Sequence, residues 1–319
     1  MTATIGRNLK IVKQLLDEGH PVAIPTETVY GLAANACNPI AVAKIFEVKN
    51  RPTFDPLIVH VANADAMHKY AAVPAAAMAL AKRLGPAPIT YIVPVNSVIP
   101  DLVTSGLTTV GLRIPNHPTT LELLNQLDYP LAAPSANPFG YVSPTTPAHV
   151  QKQLGDKIPY ILDGGPCEVG LESTIIDFTT QRPRMLRAGG FPLEQLEDML
   201  GTKIDRAPHS SSRPLAPGML ESHYAPTSPV FLKTREELEP MPRRVNAGFL
   251  LFQKQLEGQL TTHQMVLSPS GDLNEAARKL FAALRAFDDL SIQEIFAEPV
   301  PDVGLGRAIN DRLKRAAGR

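Results

Sequence analysis

Tryptophan is absent from this 319-residue chain, cysteine is scarce, and the charges cancel, 31 Lys and Arg standing against 31 Asp and Glu. The two cysteines, Cys37 and Cys167, make neither a disulfide framework nor a metal-ligand cluster. Zero net charge argues against non-specific polyanion binding, which needs a basic surface to displace counterions. It leaves room for a local basic pocket around one small anion. No stretch reaches the ~20 apolar residues of a membrane span, because the alanine-rich run at 71–81 is short and contains Pro74. Met1–Arg7 lacks the apolar run of a signal peptide, so a cytoplasmic protein is expected. Missing too are G-x-x-x-x-G-K-S/T, H-E-x-x-H and G-x-S-x-G, the marks of a phosphate loop, a zinc protease helix and a nucleophile elbow.

Proline is abundant instead, at 31 residues, about double the typical ~5% share. The 21 glycines show no three-residue period, which excludes collagen. A hydrophobic content of 44% without net charge is the composition of a folded chain. The prolines therefore punctuate a fold, and the length points to two domains.

Apolar spacing predicts helices over 8–18 (closed by Gly19), 40–49, 64–71, 74–84, 118–127, 147–154 and 192–200. Strands are predicted at 21–25, 57–61, 89–94, 109–114, 130–134, 159–162, 173–178 and 184–187. Their irregular alternation favours an α/β fold with a mixed sheet. Residues 208–229 are rich in proline and serine and read as a linker. Beyond them, strands at 230–233, 247–252, 265–268 and 294–297 join a helix over 273–287, capped by Asp272, and a last helix over 305–316. This is a small second α/β domain.

Four segments place polar groups where elements end. Pro25–Gly31 carries Thr26, Thr28 and Tyr30, read either as turn hydroxyls or as pocket lining. Lys49 and Arg51 sit at a helix C-terminus, where solvated charges complement the dipole. Arg113 and Arg187 each close an apolar strand, and basic residues at strand ends can converge on one crevice to hold a nucleotide's phosphates. Ala133-Pro-Ser135-Ala-Asn137 reads equally as a turn or as a ligand contact, and Gly164-Gly165 through Leu171-Glu-Ser173-Thr174 reads as a loop running into a strand unless Ser173 faces the same pocket. His60, inside the apolar Leu57–Val61, reads as a core histidine or a ligand contact.

The ordered segments PTETVYGL, KxRPxxxPLIVHV, TVGLRIPxHP, PLAAPSANPFGxxSPTTPxHV, GLESTIID and MLRAGG resemble the YrdC domain family. PGMLESHYAP, LSPSGDLNEAARKLFAALR and GLGRAINDRLKRAA resemble its longer, two-domain Sua-type members, so the likeness runs from about residue 8 to 317. The resemblance implies a YrdC-like domain over 1–205 with a twisted mixed sheet and flanking helices. It also implies a linker and active-site lid over 206–229 and a Rossmann-like α/β domain over 230–319.

It further implies an L-threonylcarbamoyladenylate synthase, joining L-threonine, bicarbonate and ATP with release of diphosphate for modification of tRNAs reading ANN codons. Residue by residue, L-threonine falls to Thr28, His60, Arg113, Ala133 and Ser173. ATP falls to Lys49, Arg51, Asp55, Thr109, Ser135, Asn137, Ser143, Arg187 and Tyr224. Lys49 and Arg51 would stabilise charge, and no protein nucleophile is needed. Mg²⁺ is expected with ATP, its ligands not legible. A downstream threonylcarbamoyl transferase complex is the expected partner, with tRNA met weakly or indirectly and no membrane.

Three departures from the pattern matter. Asp55 replaces a frequent Asn, making a phosphate contact repulsive unless metal-mediated; Leu84–Thr90 lacks the usual aromatic; and Leu220-Glu221-Ser222 replaces a more basic stretch. A carbamoyl-AMP-forming enzyme and an RNA-binding module are the competing readings.

Overall fold

The structure, a computed structural model, describes residues 2–206, 215–219 and 223–318. Residues 208–214 of the expected linker and the Leu220-Glu221-Ser222 departure lie outside these described residues.

The chain opens with β1 (Thr4–Gly6), α1 (Leu9–Asp17), β2 (Val22–Ile24), β3 (Gly31–Asn35), α2 (Pro39–Lys49) and β4 (Ile58–His60). It continues through α3 (Ala75–Leu84), β5 (Ile89–Pro94), α4 (Asp101–Thr104), β6 (Thr109–Arg113), α5 (Pro118–Asn125) and β7 (Leu131–Ala132). Then come α6 (Pro147–Leu154), β8 (Tyr160–Leu162), β9 (Thr174–Asp177), β10 (Arg184–Arg187), α7 (Leu193–Leu200) and β11 (Asp205–Arg206). These strands form one sheet in the order β1-β8-β2-β3-β7-β4-β6-β5-β9-β10-β11. Parallel pairs such as β4·β6 and β5·β9 alternate with antiparallel ones such as β4·β7 and β5·β6, the mixed sheet that the sequence predicts.

Burial on both faces explains why apolar spacing misses β3. β3 is Gly-Leu-Ala-Ala-Asn, without a β-branched residue or alternation, yet it pairs with both β2 and β7 in mid-sheet. The predicted helix at 64–71 is only a 3₁₀ turn over Asp65–Lys69, with no side-chain cap. Val42, Ile45 and Phe46 of α2 pack with Val59, Tyr91 and Leu112 in the main core. Val12 and Leu16 of α1 and Leu123 and Leu124 of α5 cover Val22, Ile24 and Leu162.

The second unit comprises β12 (Val230–Leu232), α8 (Arg235–Leu238), β13 (Ala247–Leu251), β14 (Gln264–Val266), α9 (Leu273–Phe287), β15 (Glu294–Ala297) and α10 (Gly306–Ala316). Its sheet runs β12-β15-β13-β14 with every pair parallel. Asp272 caps α9 by accepting from the Asn274 amide, as its position predicts. The two units share one apolar cluster: Val29, Val142 and Leu171 of the first pack with Tyr224 and with Leu280, Phe281 and Leu284 of α9. Ala216 and Met219 likewise pack on Ile58, Ile92, Ile175 and Leu186.

Candidate active site

Strand register gathers the polar residues. β4 and β6 run parallel and place His60 opposite Arg113, while antiparallel β5 places Thr90 on the other side of Arg113. β9 lies parallel to β5, so Ser173, just before it, reaches Thr90, with the two hydroxyl oxygens 2.7 Å apart. Past the end of β7 come Ala133 and Ser135, the latter bridged to Gly31. α2 begins with Asn38 accepting from the amides of Ile40 and Ala41, with Pro39 in the first turn. It ends with Lys49 on the same buried face as Ile45. Asn50 then takes a left-handed conformation (φ 51) and turns the chain so that Arg51 enters the interior.

Four cations are nearly inaccessible: Lys49 at 1%, Arg51 at 7%, Arg113 at 4% and Arg187 at 6% exposure. The solvated-charge reading of Lys49 and Arg51 is therefore corrected. Arg51 pairs with Asp55 at 2.9 Å and donates to the Asp55 and Pro56 carbonyls. Arg113 pairs with Glu27 at 2.8 Å and donates to Thr28 Oγ1 at 2.8 Å. Lys49 donates only to the Ser135 and Asn137 carbonyls, at 2.5 Å each. Arg187 donates to Ser173 and to the Pro217 carbonyl at 3.0 Å. Among the described residues neither Lys49 nor Arg187 has a carboxylate within ion-pair distance, whereas Arg51 and Arg113 each do.

Such burial is costly, and burial pushes the Lys49 pKa well below the usual lysine value, with Arg51 adding to the shift and Asp55 opposing it. Burial also lowers the pKa of Arg187 and raises that of Asp55. The pKa of His60 is pushed down to about 3, chiefly by burial and further by Arg113, so its ring is neutral. A pocket with this bias favours an anionic guest.

One cavity of about 50 Å³ is lined by His60, Arg113, Ala133 and Ser173 together with Arg51, Ser135, Arg187 and Tyr224. Thr28, Lys49 and Asp55 stand behind the lining and hold it through the contacts above. Asn137 donates to the Pro138 and Tyr141 carbonyls, and Ser143 donates to Glu172 at 2.6 Å. Thr109 is half-buried at the opposite end of β6 from Arg113 and is not among the lining residues. Thr26 and Tyr30 do not line the cavity either. Thr26 closes the turn onto the Val29 carbonyl, and Tyr30 bonds Gly164 and Gly165.

Two acidic residues escape residue-type reasoning: Glu27, hidden among turn threonines, and Glu172, which lines the cavity. Their signal is the ion pair each makes across the fold, which no local spacing encodes.

Pro217, Gly218, His223 and Tyr224 close the cavity from the linker side. Tyr224 is fully buried with φ 63, a strained value for a non-glycine residue, and stacks on Phe281 at 5.6 Å. About 50 Å³ holds a few waters and no nucleotide.

Among the described residues no group of three or more His, Cys, Asp or Glu could hold a metal ion. Asp55 is ion-paired with Arg51 at 2.9 Å and stands behind the cavity lining, so a Mg²⁺ would be carried by the polyphosphate rather than by this carboxylate.

Comparison with known proteins defines the class. Residues 14–189 match the Sua5/YciO/YrdC family model, described as telomere recombination. Residues 191–318 match the threonylcarbamoyl-AMP synthase C-terminal domain. A threonylcarbamoyl-AMP synthase of Pyrococcus abyssi is 39% identical, covering 97% of this chain and 94% of that protein. One of Bacillus subtilis is 40% identical, covering 95% and 91%. The crystal structure of P. abyssi Sua5 complexed with L-threonine superposes with a TM-score of 0.90 at 36% identity, covering 99% of this chain and 97% of that one. The chain belongs to the two-domain, Sua5-type threonylcarbamoyl-AMP synthase family.

Proposed function

We propose that this chain makes threonylcarbamoyl-AMP and diphosphate from L-threonine, bicarbonate and ATP, and is thus a nucleotidyltransferase. The observation that carries the reading is the pair of unmatched buried cations beside a cavity already holding two charge-compensated arginines. A polyphosphate supplies the missing negative charge, and an amino-acid carboxylate suits the fork of Arg113.

One proton of the threonine ammonium leaves with the bicarbonate hydroxide as water, giving carbon dioxide; the free amine adds to its carbon and releases a second proton to solvent, giving a carbamate. A carbamate oxygen then attacks the α-phosphorus in line, and the bond to the β-phosphoryl oxygen breaks as diphosphate leaves. No protein nucleophile takes part. The protein's work is positioning and charge cancellation.

Arg113, held by Glu27 and Thr28, takes the threonine carboxylate. Neutral His60, Ser173 and Ala133 shape the same end, and the uncharged imidazole does not repel an incoming ammonium. Lys49, Arg51 and Arg187 face the triphosphate. Ser135, Asn137 and Ser143 complete the nucleotide's surroundings, whereas Thr109, at the far end of β6, stands away from them. Asp55 holds Arg51 in place, and a Mg²⁺ carried by the phosphates would neutralise triphosphate charge. Because the cavity is too small for ATP, the segment bearing Pro217, Gly218, His223 and Tyr224 moves as a lid to admit it.

The product adenylate passes to a downstream threonylcarbamoyl transferase complex acting on tRNAs, and a net charge of zero suits a protein that does not itself grip tRNA. Among the described residues no helix is long and apolar enough to cross a membrane, and we place the reaction in the cytoplasm.

Mass spectrometry of reactions with ¹³C-bicarbonate tests the proposal. The label should appear in a threonine-containing adenylate. An adenylate formed only when carbamoyl phosphate replaces threonine and bicarbonate would establish the carbamoyl-AMP reading instead.

A further inference from the structure

We infer that Arg312, on the last helix of the C-terminal unit, is a positioning residue for the nucleotide site, acting through Glu172 and Tyr224. The inference rests on the ATP site described above. It gives the C-terminal unit a stated part in the reaction.

Arg312 is completely buried. Its Nε donates to Glu172 Oε2 at 2.9 Å and its Nη1 to Asp311 Oδ2 at 2.6 Å. Its guanidinium carbon lies 5.0 Å from the centre of the Tyr224 ring, over its face. Tyr224 is thereby held between Arg312 of α10 and Phe281 of α9. The other oxygen of Glu172 accepts from Ser143, and Glu172 lines the cavity. Arg285 of α9 grips the same loop from behind, donating to the Ser143 carbonyl at 3.2 Å and to Val142. Ser143 is therefore fixed at its hydroxyl and its carbonyl by groups that answer to the C-terminal helices.

The electrostatic consequence is specific. Glu172 is a buried carboxylate at the wall of a cavity meant for a triphosphate. Paired with Arg312 it is neutralised; unpaired, it would repel the nucleotide and release Ser143. A purely structural role predicts fewer active molecules with unchanged affinity. A positioning role predicts weakened ATP affinity that depends on the charge of residue 172.

Steady-state kinetics of the full-length chain separate the two. Arg312→Met should raise the KM for ATP at least tenfold and the KM for L-threonine less than threefold. In the double variant Arg312→Met/Glu172→Gln, the KM for ATP should fall to within threefold of the Glu172→Gln single, because the repelling charge is gone. The inference is overturned if Arg312→Met leaves the KM for ATP within twofold of the parent, or if the double variant is no better than Arg312→Met alone. Should Arg312→Met fail to fold, Arg312→Gln decides: it keeps a hydrogen-bond donor to Glu172 but gives up the charge, so a KM for ATP raised more than threefold supports the inference and an unchanged one overturns it. A parent protein that never turns over ATP would refute the proposed function itself, which is a distinguishable result.

Discussion

Replacing Arg113 with lysine tests the threonine site most cleanly, because it keeps the charge and removes the fork. Arg113 reaches Glu27 and Thr28 at 2.8 Å each, and both contacts are buried. A lysine ammonium can preserve the pair with Glu27 but cannot also present two parallel donors to a carboxylate. Losing one charge-assisted hydrogen bond costs about 1.5–3 kcal/mol, which is about 10- to 150-fold in affinity. Isothermal titration of L-threonine into Arg113→Lys should show that loss, with a melting temperature close to the parent's. Arg113→Met is the contrasting variant. It strands the Glu27 carboxylate in the interior, and breaking such a pair costs about 3–5 kcal/mol of stability. Threonine affinity within threefold of the parent in folded Arg113→Lys would refute the assignment of Arg113 to the carboxylate.

Other outcomes follow from the same geometry. Gly218 has φ 77, and an added Cβ would lie 2.5 Å from the Tyr224 hydroxyl and 3.1 Å from Arg187, so Gly218→Ala should raise the KM for ATP several-fold. Unchanged kinetics would show that the linker does not govern nucleotide entry. Lys49→Met should lose most of the rise in melting temperature that ATP gives the parent protein, because the unmatched charge opposite the phosphates is gone; an equal rise would remove Lys49 from the site. His60 predicts an acid-side loss of stability. Its folded pKa of about 3 lies below the ordinary 6.5, so on acidification through that window the unfolded chain binds a proton that the folded chain refuses. This His contributes a decline of about 1.4 kcal/mol per pH unit. Urea unfolding across that range should show a shallower decline for His60→Gln, and parallel declines would contradict the neutral buried imidazole.

The cationic residues were legible as strand-end and helix-end charges, since Arg113 and Arg187 close β6 and β10 and Lys49 closes α2. Their convergence was not, because it depends on the order in which strands pair, and β3, which separates β2 from β7, has no signature in local periodicity. Composition likewise marks the proline-rich linker but not which of its residues are buried. Ala216, Met219 and Tyr224 are held by contacts to residues far along the chain. Glu27, Glu172 and Arg312 stayed hidden for the same reason: each matters through a partner at least 85 positions away. Lone acidic and basic residues in loops and helices otherwise read as surface charge.

The prolines and the cancelled charge acquire a physical sense in the fold. Pro39 starts the helix that Lys49 ends, and Pro217 offers its carbonyl to Arg187. Zero net charge coexists with an unbalanced positive interior.

Diphosphate release by the purified chain, measured with ATP and Mg²⁺ while L-threonine and bicarbonate are left out in turn, tests the central claim most directly. The account predicts release that requires both co-substrates and falls to background when either is omitted. Release unaffected by omitting L-threonine or bicarbonate would contradict it.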